Sequence, residues 1–143
     1  MKDCVFCYIV KGVSPANIAY SDDKVMAFMD IQPVNPGHAL VIPKAHAVNL
    51  SELDGKTGGH MFKVAMRISE ALRRTGLKCE GVNLHLADGK AAFQEVSHVH
   101  LHAIPRFRGD GFGLKFGPDY GLRSSKEELD GVARKIRAAM RLR

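Results

Sequence analysis

Apolar residues change their period along this chain, and each change marks an element. Met61, Ala65, Ile68 and Leu72 recur at i, i+4, i+7 and i+11, with Phe62, Val64 and Met66 widening the stripe. That spacing predicts one long amphipathic helix with Gly76 as its C-cap. Near the C-terminus, Ser125-Lys126-Glu127-Glu128 has the form of a capping box, and Leu129, Val132, Ile136 and Met140 make the apolar face of a second helix. Strand-like runs fill the rest. Ile18 to Tyr20 and Lys24 to Asp30 are separated by the turn Ser21-Asp22-Asp23, and His38 to Ile42 ends at Pro43. Gly81 to Leu86 and Val96 to Ile104 follow, joined by a short loop through Asp88-Gly89, which suggests an antiparallel pair. Residues 4 to 12 read as a short turn or metal knuckle, and the loop from Asp30 to Gly37 holds two prolines. The pattern predicts an α+β fold: an antiparallel sheet of about five strands with one long central helix and a C-terminal helix.

The run His98-Val99-His100-Leu101-His102 carries the candidate chemistry. Side chains alternate faces along a strand, so the three histidines share one face and Val99 and Leu101 the other. An apolar back face suits a core, while the imidazole row fronts a cleft. Imidazole can be a base, a nucleophile or a metal ligand near neutral pH. Three readings compete: a catalytic metal held by all three rings, one nucleophilic imidazole with helpers, or a polar strand face without chemistry.

Composition narrows the class. The 143 residues suit a single domain, from 1 to 143, with a glycine-rich loop and the C-terminal helix from about 107 onward. A chain of that size buries roughly 68% of its unfolded surface, enough for a proper core. No apolar run approaches the ~20 residues of a membrane helix. The start, Met1-Lys2-Asp3-Cys4, lacks a signal peptide's apolar stretch, so the expected compartment is the cytoplasm and no membrane partner is expected. The formal charge of +6 favours anionic ligands. Much of the excess sits in Arg134, Lys135, Arg137, Arg141 and Arg143, read as a solvated helix face. No interleaving of aromatic and basic residues points to nucleic acid. The glycines from Gly109 to Gly121 are irregularly spaced and lack a following Lys-Ser/Thr, so they do not read as a phosphate loop.

Cys4 and Cys7 form a C-x-x-C, while Cys79 stands alone as a partly buried thiol. A redox pair belongs at a helix N-terminus after a strand, and no strand precedes this one, so half a zinc site is the favoured reading. A tetrahedral site needs two more ligands. His46 is a plausible third and one histidine of the row a fourth. Two histidines would then remain on that face, too few for a three-histidine metal site.

With these residues in view, the chain closely resembles the histidine triad (HIT) family of nucleotide hydrolases and transferases. The resemblance runs from Cys4-Val5-Phe6-Cys7-Tyr8-Ile9 through Ala27-Phe28-Met29-Asp30-Ile31, Pro36-Gly37-His38 and Leu40-Val41-Ile42-Pro43-Lys44-Ala45-His46. It continues through Gln94-Glu95-Val96-Ser97-His98 to Arg106, and the His-x-His-x-His signature is complete.

The resemblance implies a nucleophile, His100, that attacks the α-phosphorus of a nucleotide to form a nucleotidyl-histidine, which water then hydrolyses. It implies phosphoryl or leaving-group contact for His102, ribose binding for Asp30, and further nucleotide contacts for Phe28, Ile31, Asn83 and Gln94. It implies a structural zinc on Cys4, Cys7, His46 and His98, with no metal needed for the chemical step. The expected partners are a purine nucleotide such as AMP, GMP or their derivatives, and a second copy of the chain in a homodimer whose sheets join. Alternatives on the same grounds are a dinucleoside polyphosphate hydrolase, or a nucleotide-binding regulatory module with vestigial turnover. The chain departs from the common pattern at Phe93, where a Gly often stands, at Glu95, where a Ser is common, and around Asp88-Gly89, where an Asn is common. His38 is expected to be structural, and His60 and His85 to lie at the surface or in packing.

Overall fold

The computed structural model describes residues 3–142. Helix α1 (Val5–Val10) is followed by β1 (Ile18–Ser21), β2 (Val25–Met29), β3 (Ala39–Pro43), α2 (Gly55–Leu72), β4 (Gly81–His85), a short 3-10 turn (Lys90–Ala92), β5 (Leu101–Arg106) and α3 (Lys126–Arg141). The five strands form one sheet in the order β1-β2-β3-β5-β4, every neighbouring pair antiparallel. The expected α+β class, five-stranded sheet and two amphipathic helices are all present.

Alternation divides the core between the two sheet faces. Val25, Ala27, Val41, Val99 and Leu101 pack with Met61, Val64 and Ala65 of α2. Met26, Phe28, Leu40 and Ile42 pack with Cys4, Phe6, Cys7 and Ile9 around α1. Val99 and Leu101 therefore turn toward the long helix, and the intervening histidines face the α1 side, as the period of two requires.

Four local expectations need correction. Residues 5–10 form a true helix rather than a turn: Cys4 is the N-cap, its Sγ accepting from the Cys7 amide at 3.4 Å. The helix α2 starts at Gly55, N-capped by Asp54, well before the apolar stripe begins at Met61. Gly76 is not its cap. The helix ends at Leu72 with Arg73 as C-cap, and Gly76 takes φ +83° in the following turn. The histidine strand begins only at Leu101. Before it, the His98 amide bonds back to the Val96 carbonyl at 2.8 Å, and the Val99 amide bonds to the Ala47 carbonyl at 2.8 Å, outside any ladder. Only His102 lies within β5, opposite Leu40 on β3 and His85 on β4.

The chain divides into two compact units, one ending at Phe112 and the other beginning at Gly113. In the second unit α3 carries the complete Ser125–Glu128 capping box, and Leu129, Val132, Ile136 and Met140 are all exposed. No helix among the described residues is long and apolar enough to cross a membrane.

Candidate functional site

Three distant segments bring four donors together. Cys4 and Cys7 come from the first turn of α1, His46 from the loop after β3, and His98 from the stretch before β5. Their ligand atoms all lie within 4.8 Å of one another. His98 Nδ1 is 3.4 Å from Cys4 Sγ, 3.6 Å from Cys7 Sγ and 3.2 Å from His46 Nδ1, and His46 Nδ1 is 3.2 Å from Cys7 Sγ. A tetrahedral centre with metal–sulfur bonds of about 2.3 Å and metal–nitrogen bonds of about 2.0–2.1 Å has S···N edges near 3.6 Å and N···N edges near 3.4 Å. The cluster fits that size. Its tautomer fits as well: His98 Nε2 donates to the Pro43 carbonyl at 2.8 Å, which leaves the Nδ1 lone pair facing the other donors. Burial pushes the His98 imidazole below its ordinary pKa, favouring the neutral ring a metal needs. Burial, and then Cys4, push the Cys7 thiol up, so two thiolates side by side call for a cation.

The other two triad histidines have tautomers set by fixed backbone groups. His100 Nδ1 donates to the carbonyl of His98 at 2.7 Å, so in the neutral ring Nε2 carries the free lone pair. The ring is buried and braced by Phe6 of α1, edge to face at 5.3 Å between centroids. Phe6 also meets His98, at 5.8 Å, so the helix that holds two cysteines also supports the central histidine.

His102 is governed by His38. The amide of Val34 can only donate, and it donates to His38 Nδ1 at 3.0 Å, so the neutral His38 ring carries its proton on Nε2. That proton goes to His102 Nδ1 at 2.8 Å, leaving His102 with an Nε2–H to offer. Burial first, then repulsion from His100, His38 and His85, hold His102 down to about 4. Burial likewise lowers His38. His38, expected to be structural, is thus part of the site. The signal in the sequence was the glycine of Pro36-Gly37-His38: in the structure Gly37 takes φ +101°, and a Cβ there would lie 2.8 Å from Leu72 Cδ2, so the turn before this ring calls for glycine. Asp30, His38 and His102 are also close enough to consider for a cation. The Val34 amide argues against it, because it keeps the proton on the nitrogen that would have to coordinate.

The remaining candidates divide between cleft and scaffold. Asp30 follows β2, accepts from the Gln32 amide through Oδ1 at 2.8 Å, and holds Oδ2 at 3.5 Å from His38 Nε2. Beside it Ile31 is 93% exposed, whereas Phe28 is 3% exposed and packs edge to face on Phe6 at 5.3 Å. The Gln94 side chain is fully engaged: Oε1 accepts from the Gly89 amide, and Nε2 donates to the carbonyls of Val48 and Val96. Asn83 Oδ1 accepts from Arg106, whose guanidinium also binds both Asp110 oxygens. His85 faces His102 with ring centroids 5.7 Å apart, and His60 pairs with Asp22 at 2.6 Å away from the triad.

Comparison with known proteins agrees with this geometry. The HIT domain family model matches residues 11–109. An uncharacterised HIT-like protein of Borreliella burgdorferi is 45% identical over 127 residues, 88% of this chain and 91% of that one. The adenosine 5′-monophosphoramidase hnt1 of Schizosaccharomyces pombe is 35% identical over 134 residues, 93% of this chain and 95% of that one. The crystal structure of a zinc-bound histidine triad family protein from Mycobacterium smegmatis superposes with a TM-score of 0.76 at 45% identity, covering 82% of this chain and 85% of that one.

Proposed function

Because this chain belongs to the HIT domain family, we propose that it is a nucleotide hydrolase or transferase acting at the α-phosphorus of a nucleoside 5′-phosphate derivative through His100. One observation carries the reading. The bond from His100 Nδ1 to the His98 carbonyl leaves Nε2 as the ring's free lone pair, and a neutral nucleophile approaches phosphate without charge repulsion.

In the first half-reaction Nε2 bonds to phosphorus, the bond from phosphorus to the leaving group breaks, and the leaving atom takes a proton from water. In the second, a water oxygen bonds to phosphorus, the N–P bond breaks, and that water's proton passes to solvent. His102 offers its Nε2–H to a phosphoryl oxygen. Asp30, with Ile31, takes the ribose and base, an assignment supported by an acceptor-only carboxylate at the end of β2, while Phe28, expected to contact the nucleotide, is buried against Phe6. Gln94 and Asn83 serve by holding the 86–97 connection and β4. The S. pombe relative's name supports an adenosine 5′-monophosphoramidate as substrate, and the proposal extends to GMP and to anhydride derivatives.

Cys4, Cys7, His46 and His98 would hold a structural zinc. When bound, it neutralises the thiolates and ties α1 to the sheet. The chain is further proposed to act as a homodimer whose sheets join, β4 being an edge strand.

Incubation with adenosine 5′-monophosphoramidate should release AMP and ammonia. Quenching without acid, followed by intact mass and peptide mapping, should find an adenylyl group on His100. No AMP release, or an adduct on another histidine, would refute the mechanism.

A further inference from the structure

We propose that Asn35 is a positioning residue: its side chain clamps the loop before β3 to β5 and to Asp110, and so fixes which nitrogens of His38 and His102 carry the proton. This assignment rests on the nucleotidyl-transfer reading above, but its main readout needs no turnover.

The loop from Ile31 to Gly37 has little of its own to hold it. Two of its residues are prolines, with no amide to donate, and only Asn35 among the seven is buried. Asn35 Nδ2 donates to the Pro105 carbonyl at 2.9 Å and to Asp110 Oδ2 at 2.9 Å. Pro105 lies in β5 beyond Ala103, the last residue paired with β3, so the Asn35 amide ties the loop to the sheet where the ladder has ended.

The other anchor is equally fixed. The Asp110 side chain is 3% exposed. Besides Asn35 it accepts from Arg106 Nε at 2.6 Å and Nη2 at 2.9 Å, and from the Phe107 and Phe112 amides at 3.3 and 3.2 Å. Arg106 in turn donates to Asn83 of β4 at 2.6 Å. A buried carboxylate gripped by a two-pronged guanidinium and three further donors is held in one geometry.

What the clamp holds in place is the Val34 amide. Val34 adjoins Asn35, and the His38 amide closes the same turn on the Asn35 carbonyl at 3.1 Å. The Val34 amide must stay on His38 Nδ1 for the relay from His38 Nε2 to His102 Nδ1 to run in one direction. The Asp30 carboxylate favours the same proton on His38 Nε2, but at 3.5 Å it is beyond a good hydrogen bond. Without the clamp the Val34 amide can turn to water, and His38 is free to keep its proton on Nδ1. The bond between the rings then reverses: His102 Nδ1 donates, and its Nε2 presents a lone pair to the phosphoryl oxygen it should bind.

Nitrogen-15 spectra of histidine-labelled protein at neutral pH distinguish the two tautomers of each ring. The wild type should carry the proton on Nε2 of both His38 and His102. Asn35→Ala should populate the Nδ1–H form of both rings. It should also lower kcat on adenosine 5′-monophosphoramidate by about twofold to tenfold, the worth of one hydrogen bond, with a smaller change in KM. Asn35→Leu keeps most of the volume without the donors and should behave alike. His60→Ala breaks a pair away from the triad and should alter neither ring, which separates the clamp from a general loss of stability. Wild-type tautomers retained in a folded Asn35 variant, or shifted tautomers with kcat unchanged, would overturn the proposal. So would failure of both Asn35 variants to fold, which would make the residue one the fold needs rather than the site. Tautomers that shift in a protein whose wild type releases no AMP would refute the nucleotidyl-transfer reading and leave the clamp standing.

Discussion

Taking away the proposed zinc should release α1 and disable the nucleophile together. The helix has only six residues, far fewer than the ~12–15 at which an isolated helix becomes marginal. Ordering the stretch from Cys4 to Lys11 costs roughly 1–2 kcal/mol per residue in backbone entropy alone. Burying Phe6 and Ile9 offsets about 1.5–3 kcal/mol each, which leaves several kcal/mol unmet. Small zinc-folded peptides draw about 10–16 kcal/mol from their metal at neutral pH, ample for the difference. Chelation, or Cys7→Ser, should therefore lower stability by at least roughly 3 kcal/mol, about 10 °C in Tm for a domain of this size. The first change should be local. Amides from Phe6 to Lys11 should lose exchange protection before the sheet does, and turnover should fall with them because Phe6 braces His100. Metal analysis, hydrogen exchange and thermal melts on the same samples check each step. Fully demetallated protein that melts within about 2 °C of the loaded form, with α1 still protected, would refute the account.

Other outcomes follow from single residues. His100→Ala should abolish turnover while nucleotide affinity, measured by calorimetry, changes little, since a nucleophile acts in the transition state. Stability should fall as pH drops from about 6.5 toward 4: the unfolded His102 takes up a proton near 6.5 whereas the folded ring resists until about 4. Denaturant melts across that range should show a shallower slope in His102→Gln. At position 93 the usual helix-type ranking should invert, Phe93→Gly being more stable than Phe93→Ala by about 1 kcal/mol, because only glycine is at ease at its φ of 66°. Equal stability of the two variants in urea titrations would mean the backbone there is unstrained.

The sequence by itself determined whatever depends on local period. The a-to-d spacing from Met61 to Leu72 specified the long helix, and alternation sent Val99 and Leu101 to one sheet face and the histidines to the other. The C-x-x-C and the triad marked five of the residues that matter. Tertiary structure decided the rest, because the deciding partners lie far along the chain. Burial of Phe6 and Ile9 against the sheet supplies part of what makes a helix of residues whose own propensity would not. The Val96 and Ala47 carbonyls drew the chain off the ladder before Leu101, so the strand starts later than its pattern. Three backbone groups set the chemistry of the histidines: Pro43 O for His98, His98 O for His100, and the Val34 amide, through His38, for His102. Residue type says that an imidazole can bind metal, attack or donate. Which of these each ring can do depends on which nitrogen keeps its proton, and that is settled only when the fold presents a fixed donor or acceptor to the other one.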